Sequence, residues 1–229
     1  MGKKSICMFA ALALMAALAP LTASGPGASG SGERPPNQLA YFVGKVTQGF
    51  TQDGPSRLAS EDIDGYVDLD AKVIRSVTGE LEWDYGGGVV TVDTPMSQGA
   101  TGFLKAYGAV ETADLLISSG NGYVSILAIS LDGKALAESG KVLVQAMTDE
   151  KNKGWSTIEG FILDLGGFPL LVRKVDAEVA FKGRPAPSRV VALDENGYEL
   201  GDPLPFEAFG GGFTVRLPEA AIYTVIEFG

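Results

Sequence analysis

Four carboxylates lie on or near one predicted hairpin, at Glu80, Glu82, Asp84 and Asp93. Paired carboxylates are what glycoside hydrolysis needs, because one acts as acid and the other as base or nucleophile. With 28 acidic residues in a chain of 229, however, such residues come close together by chance. The sequence shows no apolar pocket that would raise the pKa of an acid. We therefore predict no catalytic residue, and keep a small carboxylate-dependent glycoside hydrolase or lyase as an alternative.

A second acidic group surrounds Gly65 and consists of Asp62, Asp64, Asp68 and Asp70. A calcium loop of the EF-hand type needs oxygen ligands at positions 1, 3 and 5, glycine at 6 and a bidentate glutamate at 12. Alignment on Gly65 satisfies the first positions but puts Ala71 at position 12. We therefore predict no cofactor and no metal, with these four aspartates as the candidate ligands if a structural calcium ion binds.

Aromatic side chains could bind sugars, because their flat rings stack on the apolar faces of pyranoses. Trp155 lies in a polar segment, residues 149–157, that is typical of a loop, and Tyr107 is a second candidate. A loop tryptophan can also fold back onto a sheet, so that alternative stays open. Trp83 alternates with Leu81 in an apolar pattern, and we predict that it belongs to the core.

Composition excludes several function classes. The chain has no histidine and a single cysteine, which excludes Ser-His-Asp and Cys-His triads, zinc sites that need histidine or several cysteines, and a disulfide framework. The net charge is -10, which makes nucleic acids and anionic membrane surfaces poor partners.

The N-terminal residues have the three-part pattern of a secretory signal peptide. Lys3 and Lys4 precede an apolar run, residues 6–19, that is too short to span a bilayer comfortably, and small residues follow it. We expect cleavage after Ala23, which would leave a mature chain with a net charge of -12, located outside the cell or in the periplasm. Residues 24–38 are rich in Gly, Ser and Pro and predict a flexible linker.

Residues 39–229 carry the pattern of many short strands separated by turns. Apolar and polar residues alternate over residues 171–182 and again over 213–217, as in strands with one wet face. Residues 123–131 are apolar on both parities, which is typical of a central strand covered on both faces. The pattern predicts one all-β domain with little helix, an antiparallel β-sandwich of jelly-roll or related two-sheet architecture.

Two hairpins can be placed by their turns. Asn196-Gly197 supplies the positive φ that a tight turn after Leu193 requires. For the hairpin that contains Trp83, a four-residue loop beginning at Tyr85 sets Trp83 opposite Val90 and Leu81 opposite Val92. We prefer this register because it keeps apolar residues together on one face. The Gly166-Gly167 pair and the Gly210–Gly212 run predict turns, since neither precedes a helix.

Several stretches resemble a recurrent block of large secreted bacterial proteins. They are residues 73–84 (VIRSVTGELEWD), 88–95 (GVVTVDTP), 98–104 (QGATGFL), 142–148 (VLVQAMT) and 190–198 (VVALDENGY). The block resembles a C-terminal β-sandwich accessory region that lies beside a glycoside-hydrolase-like barrel, of which this sequence shows no counterpart. The proteins it resembles often have Arg after Thr-Pro, where this chain has Met96, so a contact made by that Arg is not expected here.

The resemblance implies a secreted, non-catalytic module that binds carbohydrate or supports a polysaccharide-degrading system. A neutral polysaccharide or a partner protein is the expected ligand, and Trp155 and Tyr107 are the candidate ligand-binding residues. A purely structural or interaction domain is a further alternative. The oligomeric state is not readable from the sequence.

Overall fold

The computed structural model describes residues 39–49, 57–59 and 63–229. Two short helices are present, α1 at Ala40–Val43 and α2 at Leu104–Tyr107. The strands, in chain order, are β1 Thr47–Gly49, β2 Arg57–Ala59, β3 Val67–Asp68, β4 Val73–Arg75, β5 Leu81–Asp84, β6 Val89–Asp93, β7 Ser97–Gly102, β8 Val110–Glu111, β9 Leu115–Ser119, β10 Val124–Ser130, β11 Lys141–Thr148, β12 Glu150–Lys153, β13 Ser156–Ile158, β14 Phe161–Asp164, β15 Gly167–Val172, β16 Ala177–Lys182, β17 Arg189–Leu193, β18 Glu199–Leu200, β19 Phe206–Phe209, β20 Gly212–Arg216 and β21 Tyr223–Glu227.

Two antiparallel sheets form the body of the fold. The larger has ten strands in the order β18-β17-β21-β11-β10-β7-β6-β5-β4-β3, and the smaller has five in the order β19-β20-β16-β9-β8. Three pairs of strands form small separate sheets, namely β1-β2, β12-β15 and β13-β14. Every strand pairing among the described residues is antiparallel, and hairpins such as β10-β11 have the short connections that this arrangement allows.

The core lies between the two sheets because alternate residues of each sheet are apolar. In β10 the buried residues Val124, Ile126 and Ala128 face inward, and in β16 Ala177, Val179 and Phe181 do so. These residues belong to one apolar cluster. The rings of Phe181 and Phe213 stack at 4.9 Å across neighbouring strands. The all-β, antiparallel, sandwich-like fold predicted from the alternating pattern is therefore confirmed.

Both predicted hairpins are present. In the pair β5-β6, Trp83 lies opposite Val90 and Leu81 opposite Val92, which is the predicted register. In the pair β17-β18, the turn has Gly197 at a φ of 88°. The Asp194 carboxylate there accepts hydrogen bonds from the backbone N–H groups of Asn196 and Tyr198.

Three details differ from the sequence predictions. Residues 171–182 are not one strand, because β15 ends at Val172 and β16 begins at Ala177. Trp83 is half-buried rather than part of the buried core, and its ring contacts those of Phe42 and Tyr85 at 5.8 Å each. The second face of β10 is only half-buried, since it lies away from the smaller sheet. Residues 1–38, which carry the predicted signal peptide and linker, lie outside the described residues.

A buried polar side chain links the two sheets. Gln98 of β7 accepts hydrogen bonds at its carbonyl oxygen from the Thr112 hydroxyl and the Asp114 N–H, both at 2.8 Å. Its amide nitrogen donates to the Asp114 carboxylate at 2.6 Å. Because a buried amide without partners is costly, this set of bonds fixes β7 against the β8–β9 connection.

Candidate functional site

The arm, residues 149–173, positions Trp155. Its strands β12 and β15 pair with each other, and β13 and β14 continue the same hairpin to a turn at Glu159-Gly160. The base is closed by an ion pair of 3.1 Å between Arg173 and Asp149. None of the four strands pairs with either large sheet, so the arm extends from the body as a two-stranded ribbon.

Trp155 lies at the bend between β12 and β13 and is half-buried. Its backbone N–H donates to the Asn152 carbonyl at 3.1 Å, and the Asn152 amide donates to the Leu165 carbonyl at 2.8 Å. The bend also needs Gly166, whose φ is 63° and where a side chain would clash with the Lys153 carbonyl. The backbone at Trp155 is thus positioned by contacts from both halves of the arm.

An open cleft of about 320 Å³ borders this tryptophan. It is lined by Glu150, Lys151, Asn152, Trp155 and Leu170. The lining combines an aromatic ring and an aliphatic side chain with one acid, one base and one amide. Such a surface suits a neutral ligand that has an apolar face and hydroxyl groups.

Tyr107 ends α2 and lies in a different cleft, far along the chain from the arm. Its ring covers Gly87 in the β5-β6 turn so closely that a side chain there would clash with it. Burial raises the pKa of the Tyr107 hydroxyl, and the charge and hydrogen bond of Asp84 raise it further. Tyr107 as a residue is nevertheless 42% exposed.

The cleft beside Tyr107 has a volume of about 310 Å³ and an acidic lining. Its carboxylates are Glu80, Glu82, Asp93 and Glu111. Glu80, Glu82 and Asp93 are three of the four residues that the sequence grouped as possible acid and base, and they do come together here. The fourth, Asp84, is hydrogen-bonded to Tyr107 beside the cleft. Glu111 joins them from β8, which no spacing in the sequence indicated.

Three of these four carboxylates are already engaged by other groups. Glu82 forms an ion pair with Arg75 at 2.8 Å, and Asp93 accepts a hydrogen bond from the Ala113 N–H at 3.0 Å. Lys182 contacts Glu111 at 2.7 Å and lowers the pKa of that carboxyl. A general acid needs the opposite shift, toward a raised pKa, so Glu111 is poorly suited to that role.

The candidate calcium ligands are only partly described. Asp62 lies outside the described residues. The Asp68 carboxylate accepts hydrogen bonds from the N–H groups of Asp70 and Ala71, at 3.0 and 2.8 Å, and thereby closes a local turn. Within the described ranges, no group of three or more acidic residues is placed to hold a metal ion. The expectation of no metal and no cofactor stays a prediction.

Comparison of the chain with protein-family models, with curated proteins and with solved structures found no match. The resemblance to an accessory region of glycoside-hydrolase-like proteins therefore stays a hypothesis. In the part of the chain that the structure describes, no helix is long and apolar enough to cross a membrane.

Sequence reasoning missed the exposed apolar surface of the arm. The run FILDLGGFPLLV, residues 161–172, is apolar on both parities and was not singled out. Such a run is typical of a strand covered on both faces, but nothing in the described part of the chain covers it. The signal that could have found this surface is the apolar run itself. The strand predicted over residues 171–182 covers only its last two residues.

Proposed function

We propose that this protein is a non-catalytic binding module that takes a neutral glycan in the cleft beside Trp155. The observation that carries the proposal is a half-buried tryptophan at the edge of an open cleft, with amide, acidic and basic side chains next to it. The ring would stack on the apolar face of a sugar, and the polar side chains would meet its hydroxyl groups.

Charge supports a neutral ligand over an anionic one. The chain has a net charge of -10, and the single lysine in the cleft, Lys151, is balanced by Glu150. Sulfated and uronate polymers would therefore be repelled at low salt. Stacking on one ring contributes about 1 kcal/mol beyond area burial, so we expect a dissociation constant on the order of 1 mM.

The alternative of a small glycoside hydrolase or lyase would use the acidic cleft beside Tyr107. It has less support, because Glu82 and Glu111 are ion-paired and the pKa of Glu111 is lowered. Export and a role beside a polysaccharide-degrading system rest on the N-terminal pattern and on the resemblance, and both belong to this proposal.

The test uses the two tryptophans of the chain separately. In Trp83→Phe the only tryptophan is Trp155, so fluorescence reports on the cleft alone. We expect a saturable change with a neutral oligosaccharide and a weaker one with sulfated or uronate oligosaccharides at low salt. Calorimetry should show that Trp155→Ala weakens binding about fivefold or more, as loss of about 1 kcal/mol requires.

Tyr107→Ala is the matched control, since it removes the other candidate aromatic residue from a different cleft. Binding that is unchanged in Trp155→Ala but lost in Tyr107→Ala would move the site and contradict the proposal. Release of reducing ends by the wild-type chain, abolished in Glu80→Gln, would favour the hydrolase alternative instead.

A further inference from the structure

The arm has almost no core of its own. Asn152 is the only residue of its four strands that is not exposed. The strands are Glu150–Lys153, Ser156–Ile158, Phe161–Asp164 and Gly167–Val172. An isolated two-stranded ribbon is at best marginally stable in water. Within the described part of the chain, the arm therefore lacks the packing that would hold it.

The exposed side chains of the arm are mostly large and apolar. They are Ile158, Phe161, Ile162, Leu163, Leu165, Phe168, Leu170, Leu171 and Val172. Phe161 is 74% exposed and Phe168 is 91% exposed. Summed over both faces of the arm, these side chains present on the order of 900 Å² of apolar surface, and even half of that equals the largest single apolar patch of a typical monomer, about 300–600 Å².

Both faces and both edges of the arm are open. Neighbouring residues of β14, such as Phe161 and Ile162, point to opposite faces of the ribbon, and both are exposed. Because β12-β15 and β13-β14 are two-stranded, each strand has one edge whose backbone groups pair with no other strand of the described residues. A partner could therefore cover the faces and extend the sheet at an edge.

We propose that the arm binds the same arm of a second copy of this chain, giving a dimer with two-fold symmetry. The available area is sufficient for this partner: a stable interface buries about 800 Å² on each side, and the two faces of one arm together present about that much apolar surface. The charge agrees, because residues 149–173 contain four acidic and three basic residues, so nearly all of the net charge of -10 lies elsewhere. Two arms can thus meet without repulsion between them.

A lipid bilayer is a poorer occupant of the same surface. The open edges of a two-stranded ribbon would leave backbone N–H and C=O groups unsatisfied in hydrocarbon. The acidic body would also be repelled by an anionic membrane surface. A second arm satisfies the edges by strand pairing and covers the apolar faces at the same time.

Sedimentation of the purified full chain, between about 1 and 100 µM, tests the proposal over a range that covers a standard interface of modest affinity. We expect a species of twice the chain mass. The double variant Phe161→Ser/Phe168→Ser should raise the dimer dissociation constant about 100-fold or more. Neither side chain lines the Trp155 cleft, although Leu170 belongs to both the cleft and the apolar surface. Glycan binding should therefore be kept in the monomeric double variant, where no second arm can cover the cleft, and failure of one proposal does not imply failure of the other.

Tyr198→Ser is the matched control, because Tyr198 is 73% exposed but lies on the body, after the turn that follows β17. This variant should remain dimeric. Circular dichroism of each variant checks that the sheets are intact. A wild-type chain that is monomeric throughout the range, or a dimer that survives the double substitution, overturns the proposal. So does a monomer that floats with neutral phosphatidylcholine vesicles, which would assign the arm to a lipid surface.

Discussion

Trp83 is the residue whose environment most changes an expectation drawn from the sequence. It is half-buried on β5, two strands in from the β3 edge of the large sheet, and its ring contacts those of Phe42 and Tyr85. Removal of a fully buried tryptophan ring costs about 3–5 kcal/mol, and partial burial reduces that cost. We expect Trp83→Ala to lower the free energy of unfolding by about 1–3 kcal/mol, measured by urea denaturation.

Trp83→Phe is the control for that substitution, because it retains a ring next to Phe42 and Tyr85. It should cost less than about 1.5 kcal/mol, since volume and apolar character are largely kept. Equal stability of wild type and Trp83→Ala would show that the ring contributes nothing to packing and is available to a ligand.

At the candidate site, the residue types were predictable and their neighbours were not. The polar context of Trp155 indicated a loop, and the residue does lie at a bend. Leu170, which lines the same cleft, comes from the opposite side of the arm, and Glu111 reaches the Tyr107 cleft from β8. Such neighbours depend on strand pairing over long separations, which residue spacing does not encode.

Among the elements, the connection between β10 and β11 is held at its two ends by the Asp132 carboxylate. The Arg184 guanidinium donates to the Leu136 and Ser139 carbonyls within it. Asp132 accepts hydrogen bonds from the Gly140 N–H at 2.7 Å and from the Ser130 hydroxyl at 3.0 Å. These bonds hold the pKa of Asp132 far below its usual value, and the bond from the Gly140 N–H has the largest effect. Leu136, at the centre of this connection, is fully buried, so the loop is part of the packed structure.

The lowered pKa makes the contribution of Asp132 depend on pH. A group with a depressed folded-state pKa stabilises the fold above its unfolded pKa of about 3.9, and this stabilisation is lost as the pH falls through the folded-state value. We expect Asp132→Asn to lower the thermal midpoint at pH 7, and the difference from wild type to shrink below about pH 4.

Glu195→Gln removes an exposed carboxylate from another turn and controls for the change in net charge. It should leave the midpoint nearly unchanged at pH 7. A difference between Asp132→Asn and wild type that is the same at pH 7 and pH 3 would contradict an ionic role for this carboxylate.

Elements were predictable where local pattern and turn chemistry agree. The β5-β6 register follows from apolar residues facing each other across a glycine-rich turn. The break between β15 and β16 was missed because Lys174, Val175 and Asp176 continue the alternation by chance, although they form the crossing from the arm to the body. Alternation indicates which side chains of an extended segment face solvent, but it does not indicate whether the segment pairs with another strand.

At the scale of the whole molecule, both large sheets contribute to one apolar core, and the arm contributes almost nothing to it. Phe181 is fully buried in the smaller sheet, where it stacks on Phe213. Trp83 reports on the larger sheet, and in Trp155→Phe it is the only tryptophan. The two positions therefore allow one sheet to be perturbed while the other is observed.

If the shared core makes the two sheets one cooperative unit, a change in the smaller sheet must shift unfolding of the larger one. We expect Phe181→Ala, in the Trp155→Phe background, to lower the free energy of unfolding by about 3–5 kcal/mol as read from Trp83 fluorescence. Far-UV circular dichroism should give the same midpoint, because both probes follow one transition. The parallel substitution Phe209→Ala, on an exposed ring of the same sheet, should have a much smaller effect. A Trp83 transition that does not move in Phe181→Ala would mean that the sheets unfold separately, despite the apolar contacts between them.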